Sequence, residues 1–175
     1  MRTLAGRRTI RILSAIGAAI IVSTVLSAPV SGAPNDYVRM SGGTSIAINV
    51  AMPNDYEPGR RYPTIFEMSG YDGGSSDGTT LGGVLGEGSR GLTKMFEDDY
   101  VTVHASVRGS GCSAGEFDLF SWRSALDGRE VTEWIARQDW SNGDVGIYGH
   151  SYGGITGFMV AATKPTPLRN CNRTY

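Results

Sequence analysis

The chain has 175 residues, 40% hydrophobic and 19% charged, proportions that fit a globular domain with a real core and exclude a disordered chain. Its formal net charge is −1, yet the first 32 residues carry only arginines, and from Ala33 onward 12 basic residues face 17 acidic ones, a net of −5. That balance gives no support to nucleic-acid binding.

Arg2, Arg7, Arg8 and Arg11 precede an uncharged run over residues 12–28, and the small residues Val30-Ser31-Gly32 follow. A basic start, an apolar middle and a small-residue exit form the layout of a secretory signal peptide. Residues 1–32 are therefore expected to direct export, which places the remainder in the cell envelope or outside the cell. An uncleaved anchor is the alternative, although the run sits at the short limit for a bilayer span, and a membrane contact is expected only in that case. Arg7-Arg8 also weakly resembles a twin-arginine signal.

Residues 33–163 hold the periodic patterns. Tyr37–Met40 and Ser45–Met52 flank Ser41-Gly42-Gly43-Thr44, a hairpin signal. Pro53-Asn54-Asp55 and Pro58-Gly59 mark a loop. Pro63–Met68 reads as a strand that ends in the turn Ser69-Gly70. Residues 73–91 are rich in Gly, Ser, Asp and Thr and read as a long surface loop, with a short helix expected over Leu92–Phe96. The β-branched run Tyr100–Val107 suits a buried strand. After a glycine-rich turn at Arg108–Gly115, the residues Leu126, Val131, Trp134 and Ile135 track one face of a helix over Ser124–Gln138. A turn at Asp139–Asp144 leads to the strand Val145–Tyr148, and Gly154–Ala162 follows as a helix. Residues 164–175 are polar, contain prolines and lack periodicity. This order predicts an α/β fold with a largely parallel sheet.

Two cysteines, Cys112 and Cys171, define neither a disulfide framework nor a zinc site, and both are expected as thiols. No metal and no cofactor is implied.

The chemistry is concentrated in Gly149-His150-Ser151-Tyr152-Gly153. This G-x-S-x-G stands between a strand and a helix, the setting in which a serine becomes a nucleophile. Gly149 and Gly153 lack the Cβ atoms that would clash in so tight a turn. Ser151 then projects at a helix N-terminus, where the dipole favours negative charge, and the Tyr152 N–H is placed as an oxyanion donor.

From about Tyr37 to Thr163 the chain resembles the Xaa-Pro dipeptidyl-peptidase-like (CocE/NonD, cocaine-esterase-like) α/β-hydrolase family. The resemblance rests on Val107–Phe117 (V-R-G-S-G-C-S-A-G-E-F), Asp127-Gly128 through Trp134-Ile135, Trp140-Ser141-Asn142-Gly143, and Gly149–Gly154. It implies an α/β-hydrolase fold and a serine hydrolase acting on small esters, amides or peptides. It also implies a second oxyanion donor from a tyrosine hydroxyl after an early strand, a position that Tyr71 matches. Where the family usually has Asp two residues before its Arg-Gly pair, this chain has Ser106, a departure expected to alter local hydrogen bonding.

In this architecture the triad runs Ser, Asp or Glu, then His along the chain. No Asp, Glu or His follows Ser151, and the two histidines, His104 and His150, both precede it. His104 is expected as a satisfied core residue, and His150, next to the nucleophile in the elbow where neighbouring side chains diverge, is expected to pack or line the pocket and not to act as the base. A reversed set of His104, Asp144 and Ser151 is conceivable on geometric grounds. The expectation is instead an N-terminal fragment: fold truncated after the elbow helix, residues 164–175 an aberrant or unstructured tail, and negligible turnover from the chain alone. The alternative function is a secreted, non-catalytic binding module on a hydrolase scaffold. A nucleotide site at Gly86–Gly91, which fits G-x-G-x-x-G, lacks the strand directly before it that such a site requires.

Overall fold

A computed structural model describes residues 36–71 and 96–169. The expected leader, the loop over 73–91 with its G-x-G-x-x-G, the helix over 92–96 apart from Phe96, Cys171 and the last six residues lie outside them.

Five strands form one mixed sheet in the order β1-β2-β4-β3-β5. The expected hairpin is β1 (Asp36–Arg39) and β2 (Ser45–Ala51), paired antiparallel with Tyr37 opposite Ala47. Its turn closes through Gly43 N–H to the Met40 carbonyl at 2.8 Å, with Gly43 at φ 82°, a conformation glycine adopts freely. β2 runs antiparallel to β4 (Val101–Ser106), while β3 (Tyr62–Ser69) lies parallel to both β4 and β5 (Ser141–Ile147). The three parallel strands are the part of the sheet that the sequence pattern predicts. β4 is buried along its whole length, and Phe66, Met68, Val103 and Val145 form the centre of the core.

β5 starts four residues before the expected strand, inside the segment read as a turn. Turn chemistry and strand pairing coexist there. Ser141 Oγ accepts the Gly143 N–H at 3.1 Å and Asn142 Oδ1 accepts the Asp144 N–H at 2.9 Å, yet Ser141 still pairs with Tyr62 across a bulge.

Two helices follow the parallel strands. α1 (Trp122–Ile135) begins earlier than its apolar periodicity suggests because Ser121 caps it, accepting the Ser124 N–H at 3.1 Å. α2 (Tyr152–Ala162) opens directly after the elbow serine. The helices meet at Gly128, where a Cβ would fall on the Val160 side chain and lie 3.1 Å from Met68 Sδ. Glycine at this point therefore lets α1 approach both α2 and β3. After α2 the chain returns to the outer edge of β5: Leu168 bridges Val145 in parallel, and the Arg169 N–H donates to the Val145 carbonyl at 3.1 Å. Phe158 on α2 is 81% exposed beside this edge. Among the described residues no helix is long and apolar enough to cross a membrane.

Candidate active site

The elbow joins β5 to α2 through a backbone that few side chains tolerate. Ser151 has φ 52° and ψ −118°, a left-handed conformation that L residues adopt only where their surroundings enforce it. The neighbouring glycines supply that enforcement. A Cβ on Gly149 would overlap the Gly153 carbonyl group and come within 2.6 Å of the Gly154 nitrogen, so the two limbs of the turn touch backbone to backbone. The turn is further closed by the Gly153 N–H donating to the His150 carbonyl at 3.0 Å and the Ile155 N–H donating to the Ser151 carbonyl at 3.1 Å. Although Ser151 holds the N-cap position of α2, its side chain makes no capping bond. The hydroxyl faces Tyr71 instead: Tyr71 Oη and Ser151 Oγ are 3.3 Å apart.

Tyr71 reaches this point from the end of β3, where its N–H donates to Ser69 Oγ at 3.3 Å. Its ring meets Tyr152 edge-on, with centroids 5.7 Å apart. Tyr152 is only 7% exposed and packs against Phe120 at 4.7 Å. Burial pushes the Tyr152 phenol above its ordinary value, and Asp118 and Tyr71 add to the rise. The Phe120 backbone opposes that rise, although the buried Tyr152 hydroxyl has no hydrogen-bond partner among the described residues. The backbone N–H of Tyr152 belongs to the first turn of α2, where amide donors have no intrahelical carbonyl and the helix dipole favours an anion. Tyr71, Ser151 and Tyr152, singled out in the sequence, are thus gathered at one place.

A network of ion pairs holds the loop that follows β4. Arg108 donates through Nε at 2.6 Å and through its terminal nitrogen at 2.8 Å to the two oxygens of Asp127, which is fully buried. Arg123 adds a 2.8 Å bond to the same carboxylate and a 3.1 Å bond to Glu130. Glu130 in turn accepts the Ser41 N–H at 2.6 Å and the Ser41 hydroxyl at 2.8 Å. Burial works against ionisation of Glu130, but the Ser41 and Arg123 hydrogen bonds outweigh it and hold this carboxyl below its ordinary value. One network therefore ties the β1–β2 turn, the loop after β4 and α1 together. The same loop is pinned by Ser113, which donates to the Ser106 carbonyl at 2.7 Å and accepts the Ala47 N–H at 2.9 Å. Cys112 lies exposed on it.

Neither histidine is hydrogen-bonded to Ser151 among the described residues. His104 Nδ1 lies 3.2 Å from Glu67 Oε2, both side chains being mostly buried. Asp144 takes the Arg169 guanidinium at 2.5 Å. The reversed set of His104, Asp144 and Ser151 is consequently not assembled. Sequence reading passed over Glu67, whose carboxylate comes within 2.9 Å of the position a Cβ on Gly153 would take. Its signal was a lone acidic residue in an apolar strand. Among the described residues no three His, Cys, Asp or Glu side chains cluster as a metal site.

Residues 42–171 match the family model of the X-Pro dipeptidyl-peptidase, or S15, family. The chain belongs to this family. A protein of Mycobacterium bovis named as a serine esterase is 30% identical over 143 residues, covering 76% of this chain and 23% of the relative. The cocaine esterase of a Rhodococcus strain is 28% identical over 133 residues, covering 76% of this chain and 21% of the relative. A CocE/NonD family hydrolase from Staphylococcus aureus superposes with a TM-score of 0.59 at 30% identity, over 76% of this chain and 25% of that one. An α-amino-acid ester hydrolase shares the fold with a TM-score of 0.63 at 21% identity, over 86% of this chain and 27% of that one. The S15-family chain thus has the α/β-hydrolase fold in part, and it spans about a quarter of the length of the relatives it matches.

Proposed function

We propose that this chain carries the nucleophile and the oxyanion donors of a serine hydrolase that cleaves small esters, with amides and Xaa-Pro peptides as the wider substrate class of its family. The observation that carries the reading is the pairing of Ser151 Oγ with Tyr71 Oη at 3.3 Å, on a serine held at φ 52°. A left-handed serine whose hydroxyl caps nothing and faces a phenol has no role in folding that a glycine would not fill better. Membership of a family with relatives named as serine esterase and cocaine esterase supports the ester preference.

In the proposed reaction Ser151 Oγ attacks the substrate carbonyl carbon while a base removes the hydroxyl proton. The carbonyl electrons move onto oxygen, and that oxyanion accepts hydrogen bonds from the Tyr71 hydroxyl and the Tyr152 N–H. Collapse expels the alcohol, which takes the proton back from the base, and leaves an acyl group on Ser151 that water then removes. His104 is committed to Glu67. The base and its orienting carboxylate are accordingly assigned to the three quarters of the relatives that this chain does not match.

Fluorophosphonate labelling tests the proposal. The 175-residue chain is expected to label slowly. Extended in frame with the remaining segment of the mycobacterial relative, it is expected to label rapidly at Ser151 and to hydrolyse p-nitrophenyl acetate, with Ser151→Ala abolishing both. A folded fusion that neither labels nor turns over would point to a binding module on a hydrolase scaffold.

A further inference from the structure

Phe120 is a bulky residue on a left-handed backbone, at φ 51°. A large side chain in that region marks a place where the surroundings hold the chain against its preference, and such places concentrate at functional sites. The ring of Phe120 lies 4.7 Å from the ring of Tyr152. The next residue, Ser121, caps α1, so the start of that helix fixes the turn from behind. Tyr152 is also bounded by Gly70, where a Cβ would come within 3.3 Å of Tyr152 Cζ. From Tyr152 the contacts continue: edge-on to Tyr71 at 5.7 Å, then from Tyr71 Oη to Ser151 Oγ at 3.3 Å. An unbroken series of three contacts therefore joins Phe120 to Ser151.

We propose that Phe120 is a positioning residue, which together with Gly70 clamps the Tyr152 ring and so holds the Tyr71 hydroxyl and the Tyr152 N–H at one oxyanion position. The inference rests on the hydrolase reading above. Phe120 touches neither Ser151 nor the substrate carbonyl in this scheme and acts only through the two tyrosines. Its strained backbone keeps the ring against that neighbour.

The test needs no turnover. The full chain is labelled with 13C at the tyrosine Cζ atoms, and the Tyr71 and Tyr152 signals are assigned with Tyr71→Phe and Tyr152→Phe. In the wild type the Tyr152 signal is expected to titrate above the ordinary tyrosine value, as its burial requires. Phe120→Gly, which relaxes the backbone and uncovers one face of the Tyr152 ring, is expected to lower the Tyr152 titration toward the ordinary value and to shift the Tyr71 signal, and Phe120→Leu, which keeps apolar bulk without a flat ring, is expected to shift the Tyr71 signal. Phe120→Tyr is expected to restore both. A Tyr71 signal that stays in place in a folded Phe120→Gly or Phe120→Leu chain overturns the inference, even if Tyr152 moves, because Phe120 then only fills space. Failure of both variants to fold, judged by circular dichroism, makes Phe120 a core residue and overturns it as well. Ser151→Ala reports on the underlying reading separately. It is expected to shift the Tyr71 signal by removing the hydrogen-bond partner, and a Tyr71 signal indifferent to Ser151 sinks the hydrolase site whatever Phe120 does.

Discussion

Removing the Asp127 carboxylate is expected to leave Arg108 as a mostly buried charge without a counter-ion, at 15% side-chain exposure. Asp127 itself is fully buried, and both of its oxygens are engaged by Arg108. Breaking such a pair from one side costs about 3–5 kcal/mol, because the surviving charge keeps its desolvation penalty and loses its partner. A domain of this size has only about 5–15 kcal/mol of net stability, so Asp127→Ala removes about a fifth of it or more. Arg123 is the internal control. Its side chain is 40% exposed, so its ion pairs are already partly solvated, and in Arg123→Ala the Asp127 carboxylate retains its bidentate bond to Arg108. Exposed pairs of this kind contribute about 0–1 kcal/mol. The assay is urea unfolding at 25 °C followed by circular dichroism, where an m-value of about 1–3 kcal/mol/M turns the Asp127→Ala loss into a midpoint drop of at least about 1 M. Two variants that unfold within about 0.5 kcal/mol of each other would refute the argument that burial of Asp127 and Arg108 decides the energy.

The two elbow glycines are expected to differ. A Cβ at Gly149 meets backbone, whereas one at Gly153 meets the movable end of Glu67, so Gly149→Ala should lower stability by about 1–3 kcal/mol and Gly153→Ala by clearly less, read from thermal melts. Tyr71→Phe in the active fusion should reduce kcat by about 10²–10³-fold with little change in KM, since a phenol donor acts on the oxyanion and not on the bound ester. Equal losses in both parameters would argue against that role. Glu130 ionises below its ordinary value of 4.5 in the folded chain, so its contribution is complete above that value and is lost as the pH falls through the lower folded one. Acid unfolding of Glu130→Gln should therefore be flatter than wild type in the region below pH 4.5, and parallel curves would show that the Ser41 and Arg123 bonds do not favour the charged form.

Much of the fold was legible because β-branched and apolar runs have few alternatives. Val101–Ser106 and Tyr62–Ser69 pair where their patterns place them, and α1 and α2 follow as expected. The start of β5 was not legible, since Ser-Asn-Gly-Asp has turn chemistry and only the partner strand selects extended pairing. The serine with its glycines was readable from local geometry, because a turn that tight admits nothing larger at Gly149. Tyr71 became a site residue only through resemblance, as 80 residues separate it from Ser151. Phe120 carried no pattern at all, and Glu67 only that of a lone acidic residue in an apolar strand. Their positions depend on which loop crosses which strand, and periodicity says nothing about that.

The left-handed serine gives sequence drift a direction. Glycine fits φ 52° without penalty, so Ser151→Gly is a replacement that folding alone would favour. A lineage released from its chemistry would slide toward Gly-His-Gly-Tyr-Gly within the same elbow, its scaffold slightly firmer for the loss. The hydroxyl at position 151 caps nothing, and folding alone gives no reason to keep it.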